Sequence, residues 1–283
     1  MEKALKRYAP IFVLPTFAAF VIGFILPFIQ GLYLSFCKFT TVDNASWVGI
    51  SNYTAAFTDA SFMNSFKFTV LFAIVSIVSI NVLAFVLATL LTQNLRGTNV
   101  FRTVFFMPNL IGGIVLGYIW QILINCLLAI LGQPLLALNS TAGYWGMIIL
   151  MCWQQVGYMM IIYIAGLQNV SDDLIEAAEI DGAGKWDILW RIKIPMVMSS
   201  ITICVFLTLT NSFKLFDQNL ALTGGEPSHA TEMMALNIYQ TFYARSGMQW
   251  KGYGQAKAVI FCVLVIAISL IQLRATRSKE VQQ

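Results

Sequence analysis

"EAAEIDGAGKWDILWRIKIP", residues 176–195, is the stretch that decides the fold. Within it Glu176, Glu179, Asp181, Lys185, Asp187, Arg191 and Lys193 crowd around Gly182 and Gly184. The surrounding chain is of another kind. Its 283 residues are 58% hydrophobic and only 11% charged, whereas a soluble domain carries about 25% charged residues. That composition belongs to a membrane protein. The quoted stretch is therefore a polar island between apolar runs, and its own pattern must say what it does.

The island reads as helix, turn, helix. Ser171 is a good N-cap, and Asp172 and Asp173 stand in the first turn, where carboxylates favour the positive end of the helix dipole. Leu174, Ile175 and Ala178 recur at helical spacing, with Ala177 adding a small surface. Gly182 suits a C-cap. "KWDILWRIKI" follows as a second helix, with Trp186, Leu189, Trp190 and Ile192 available for one apolar side, and Pro195 limiting its continuation. Such a hairpin either lies on a membrane surface as an amphipathic element or inserts as a knob into a groove of another protein. The alanines and glycine permit close approach in the second case, and Glu176 and Asp181 supply orienting charge.

Working outward, six apolar runs lie at about 10–36, 66–91, 104–124, 145–167, 199–222 and 257–274. Each approaches or exceeds the roughly 20 residues needed to cross a hydrocarbon core. The first follows "MEKALKR" but is too long for a signal-peptide core and lacks a clear cleavage site, so it reads as a retained span. With the N-terminus inside, Lys3, Lys6, Arg7, Arg96, Arg102, Lys185, Arg191, Lys193, Arg274, Arg277 and Lys279 face the cytoplasm. Lys38, Lys67, Arg245, Lys251 and Lys257 then fall outside or near the outer surface, and Lys214 lies within the fifth run. This bias predicts both termini inside and places the quoted loop in the cytoplasm, between spans four and five.

Several function classes are disfavoured. Cys37, Cys126, Cys152, Cys204 and Cys262 form no CxxC pair, and His229 is the only histidine, so no metal site is expected. A net charge of +4 does not argue for nucleic acid. No GxxxxGK[ST] loop is present, so the chain should not hydrolyse ATP by itself. Nothing supplies the convergent acid, base or metal set of an enzyme.

"EAA–IDGA" followed by "I–IP" resembles the EAA loop of membrane subunits of ABC importers. The matching residues are Glu176, Ala177, Ala178, Asp181, Gly182, Ala183, Ile192 and Pro195. Leu189 stands where that family often has Phe. "VLPTFAAFVIGFILPFIQGLYLSF" with "WVGISNYTAAF", then "FRTVFFMPNLIGGIVLGYIW" and "LALTGGEPSHATEM", look like successive segments of the sugar-type permeases related to the maltose system. Glu226 takes the place of a third glycine common there. The N-terminal pattern is similar to the first of two related permeases.

The resemblance implies an all-α membrane protein with six transmembrane helices, the type I importer fold. It implies one permease domain over residues 1–283, with the coupling loop at about 168–198. It also implies a second, distinct permease as partner, two cytoplasmic ATPase subunits that use ATP and Mg, and an extracytoplasmic solute-binding protein. The location would be a prokaryotic plasma membrane, with a sugar as substrate and no cofactor held by this chain. The hairpin would be the helix through which ATPase closure turns the spans between inward and outward openings.

For the sugar path, polar groups near planar aromatics are the candidates. "TNSFKLFDQN" (210–219) places Lys214 and Asp217 three residues apart on one helix face, with Asn211 and Gln218 beside them. The two charges read either as a structural ion pair near the outer leaflet or as part of the path. Trp153, Gln154 and Tyr158 on span four, and Trp120 and Gln121 on span three, complete the set. "TEMMALNIYQTFYARSG" (231–247) reads as an external amphipathic helix with Thr231 as N-cap. The competing function is an ion-coupled secondary transporter, which would need ionisable groups in several spans.

Overall fold

The computed structural model describes residues 11, 13–93 and 96–277. Its helices are α1 (Val13–Leu34), α2 (Ser51–Thr58), α3 (Ala60–Leu91), α4 (Thr98–Phe106), α5 (Gly113–Ile130), α6 (Ser140–Leu167), α7 (Asp172–Ile180), α8 (Lys185–Met196), α9 (Met198–Phe213), α10 (Asp217–Leu222), α11 (Met234–Tyr239) and α12 (Met248–Arg277). A two-residue antiparallel pair, β1 (Cys37–Lys38) with β2 (Ser46–Trp47), is the only sheet among the described residues. Five helices (α1, α3, α5, α6 and α12) are long and apolar enough to cross a membrane, and the pair α8–α9, bent by 70°, gives a sixth when counted as one span.

The six crossings match the six apolar runs in number and order, but not in their ends. The third starts at Gly113 rather than near residue 104. Pro108 turns the chain into a 3-10 turn (Met107–Leu110), Ile111 and Gly112 are extended, and helix resumes only at Gly113. The fifth ends at Phe213 rather than 222, because the chain breaks and restarts as α10. Hydrophobicity reports the environment of a residue and not where its helix breaks.

By contacts the chain divides into two compact units. One combines the segment ending at Asp59 with Ile238–Cys262. Here α1 presents a bare apolar surface on which Phe20, Phe24 and Phe28 stack in a row at 5.2 and 6.2 Å. The chain after α1 is tied down through backbone groups. Asn52 Nδ2 donates to the carbonyls of Ser35 and Cys37, and the Phe39 amide donates to the Met248 carbonyl.

The other unit combines Ala60–Asn237 with the segment from Val263. Its centre is α6, whose Met147, Leu150, Met151, Met159, Met160 and Tyr163 are almost wholly buried. Helices in a bilayer gain little from the hydrophobic effect and associate through close packing of small residues. α3 accordingly buries Ala73, Ser76, Ile80, Ala84 and Ala88 along one stripe, and α3 and α6 form a dominant helix pair of this unit. Gly157 of α6 meets the backbone of α4 so closely that a Cβ there would fall 1.8 Å from the Phe105 carbonyl oxygen.

Candidate functional site

The polar hairpin forms as its sequence predicts. Ser171 caps α7 by accepting the Asp173 amide at 3.2 Å. Gly182 adopts φ +84°, the Gly182 amide donates to the Glu179 carbonyl and the Ala183 amide to that of Ala178. This is a Schellman end, which satisfies carbonyls that a helix terminus leaves free. Pro195 does not stop α8. A π turn over Leu189–Lys193 absorbs the missing amide, and the 70° bend into α9 falls at Val197.

The apolar side expected of α8 is divided. Ile188 is buried and Leu189 and Ile192 are half-buried, while Trp186 and Trp190 point outward. Ile180 at the tip of α7 is 86% exposed, and Glu176, Ala177, Asp181 and Gly182 are exposed with it. A cleft of about 550 Å³ beside the hairpin is lined by Thr89, Gln93, Glu179, Lys185, Trp186 and Lys193, among others. The hairpin thus presents an apolar tip ringed by charge. The one ion pair within α8, Asp187–Arg191 at 3.4 Å, is exposed and contributes little.

A second polar constellation runs through the larger unit. The break before α5 leaves the Ile111 carbonyl without a helical partner, and the buried Gln154 donates to it at 3.1 Å. Gln218 Nε2 donates in turn to Gln154 Oε1 at 2.8 Å. Asn211 Nδ2 donates to Gln155 Oε1 at 3.2 Å. The Trp120 and Trp153 rings lie 5.7 Å apart. Irregular backbone at membrane depth survives only where protein groups or a wet cavity satisfy it, and this seam supplies such groups.

Other expected members fall elsewhere. Gln121 donates to the Leu222 carbonyl and so closes the end of α10. Tyr158 packs near Phe106, with ring centroids 6.4 Å apart. Lys214 and Asp217 form no ion pair with each other, and both are exposed. They are not two turns of one helix face: Lys214 is the C-cap of α9 and Asp217 the first residue of α10. Each charge instead suits the local helix dipole, a cation at a C-terminus and a carboxylate at an N-terminus. Thr231 caps no helix, since α11 begins at Met234; its hydroxyl donates to the Glu226 carbonyl.

Residues 94–279 match the family of binding-protein-dependent transport system inner membrane components. The chain belongs to that family. It is 41% identical over 281 residues to the probable starch degradation products transport system permease protein AmyD of Thermoanaerobacterium thermosulfurigenes, covering 96% of this chain and 94% of that protein. It is 30% identical over 270 residues to the multiple sugar-binding transport system permease protein MsmF of Streptococcus mutans, with 92% of each chain covered. Among solved structures, a chain of a bacterial ABC transporter that imports the acidic polysaccharide alginate superposes with TM-score 0.82 at 20% identity, over 98% of both chains. That likeness establishes the fold.

Within this inner membrane component, four functional candidates escaped the sequence. Gln155 and the Ile111 carbonyl belong to the seam. Asn81 receives the Tyr163 hydroxyl at 2.7 Å and donates to Thr208 Oγ1 at 3.3 Å, linking α3, α6 and α9. Asn219, fully buried, donates to the Thr231 carbonyl and accepts the Met233 amide, which pins the loop after α10. A lone asparagine inside an apolar run is the signal that could have found Asn81, because an unpaired amide there is too costly to keep.

Proposed function

We propose that this chain is the membrane-spanning subunit of an ATP-driven sugar importer. The observation that carries the reading is the hairpin of α7 and α8. It offers an apolar tip at Ile180 and Trp186, with Glu176 and Asp181 beside it, on a helix pair continuous with the fifth crossing. Glu176, Ala177, Ala178, Asp181, Gly182, Ala183, Ile192 and Pro195 form the element that meets a separate ATPase subunit. A load on this hairpin reaches α9 through the bend at Val197, so movement of the ATPases shifts the population between two helix arrangements. ATP and Mg belong to those subunits.

A second permease, two ATPase subunits and an external solute-binding protein complete the assembly. Both termini lie in the cytoplasm, as the distribution of basic residues favours. The substrate is a sugar, in line with the starch products and multiple sugars in the names of AmyD and MsmF. Gln154, Gln218 and Asn211, with the Trp120–Trp153 pair, provide the hydrogen-bonding and planar apolar groups that a sugar needs, and Lys214, Asp217, Tyr158 and Gln121 flank them. Membership in a binding-protein-dependent family leaves no support for ion-coupled transport. The test is uptake of labelled maltodextrins and other oligosaccharides by the reconstituted complex. ATP-dependent accumulation of one of them supports the proposal, and accumulation driven by an ion gradient without ATP would overturn it.

A further inference from the structure

A pocket of about 380 Å³ opens in the smaller unit where α1 ends and α12 begins. Its lining includes Lys38, Asp59, Arg245, Gln249, Trp250 and Tyr253. Asp59 is the only carboxylate among the lining residues, and it is already engaged. It accepts Lys257 Nζ at 2.8 Å and the Tyr253 hydroxyl at 2.7 Å. Its charge is thus neutralised from behind the pocket wall. Lys38 and Arg245 are exposed, and neither pairs with a carboxylate among the described residues. Arg245 lies over the Trp250 ring at 4.5 Å. Stacking of this kind holds the guanidinium plane and leaves its edge donors free for an oxyanion.

The depth of the pocket follows from helix length. The 29 residues Met248–Thr276 span roughly 43 Å, against about 30 Å of hydrocarbon. The helix thus outruns the hydrocarbon, and its polar first turns, residues 248–254, are the part suited to headgroup level. Lys38, shortly after the end of α1 at Leu34, lies at the same span boundary. Tyr33 and Trp47, both more than half exposed, pack 5.8 Å apart beside Phe36, as rings do in an interfacial belt.

We propose that this pocket binds a phosphate oxyanion, and that its source is the headgroup of an anionic phospholipid. Lys38 and the edge of Arg245 take the phosphate. An acidic lipid thereby bridges the end of the first span and the start of the sixth.

The test uses the complex purified in detergent and titrated with dioleoyl phosphatidylglycerol, dioleoyl phosphatidylcholine or sodium phosphate. Bound lipid is read by native mass spectrometry. The expected result is preferential retention of phosphatidylglycerol, weakened roughly fivefold for each of Lys38→Gln and Arg245→Gln. Lys67→Gln, a charge removed outside the pocket, should leave retention unchanged. Both pocket residues are exposed, so the variants should fold. Full retention in the double variant, or equal loss in Lys67→Gln, overturns the site. Displacement of the lipid by millimolar sodium phosphate makes free phosphate the ligand and overturns the lipid assignment.

Discussion

Lys257 Nζ donates to Asp59 Oδ2 over 2.8 Å, and Lys257 is fully buried within the sixth crossing. The sequence places this lysine at the outer surface, because a single cation near a span end ordinarily reaches for water. Here Thr241 Oγ1 accepts from it at 3.1 Å, and the Tyr253 ring lies 4.5 Å from its ammonium. Three groups thus replace the water that burial removes. Removing one partner of a buried pair leaves the other uncompensated, at about 3–5 kcal/mol. Lys257→Met should therefore lower the Tm of the purified complex sharply. Combining it with Asp59→Leu should restore most of the loss. A double variant as unstable as the single one would refute the pairing account.

The coupling hairpin offers a cleaner separation of folding from function. Glu176 is exposed and makes no ion pair among the described residues. Glu176→Lys should leave the protein in the membrane and reduce co-purification of the ATPase subunit, with substrate-stimulated ATP hydrolysis falling in parallel. Gly182→Ala acts through the backbone, since φ +84° strains an L-residue by roughly 1–2 kcal/mol. It should loosen the hairpin and show a smaller coupling defect than Glu176→Lys. Wild-type hydrolysis in both variants would remove the hairpin from the ATPase contact.

Topology follows from the same assignment. A reporter fused after Gln283 should be cytoplasmic, and one inserted at Asn139, the N-cap of α6, should be external. Labelling with a membrane-impermeant reagent distinguishes the two sides. The reverse pattern would invert the hairpin and defeat its role.

The parts legible in the sequence are those governed by local chemistry. Ser171, Gly182 and the paired aspartates announce the hairpin because caps act over four residues. The six crossings are legible because twenty apolar residues have few other uses. The break at Ile111 was signalled by Pro108, Gly112 and Gly113, but its acceptor role was not, since Gln154 comes from another helix. The absence of an ion pair between Lys214 and Asp217 has a related cause. Spacing of three implies a shared face only if one helix covers both, and α9 ends at Phe213, with Lys214 as its C-cap and Asp217 opening α10. The Asp59–Lys257 pair joins residues 198 positions apart, which no local pattern reports.

The last prediction separates packing from transport along the polar seam. Gln154 serves two partners, donating to the Ile111 carbonyl and accepting from Gln218. Gln154→Leu strands a buried carbonyl as well as an amide, so both stability and uptake should fall, the stability by about 1–3 kcal/mol. Gln218→Leu leaves the Gln154–Ile111 bond in place. If the seam contacts the sugar, this variant should keep its Tm within a few degrees and lose uptake of labelled sugar, mainly through a raised KM. Lys214→Met and Asp217→Leu remove exposed charges with no ion partner among the described residues, so the Tm should barely move even in the double variant. Loss of uptake there would assign the pair to the sugar path, and full uptake would leave them as caps for α9 and α10. Normal KM in Gln218→Leu would confine the seam to holding the broken helix.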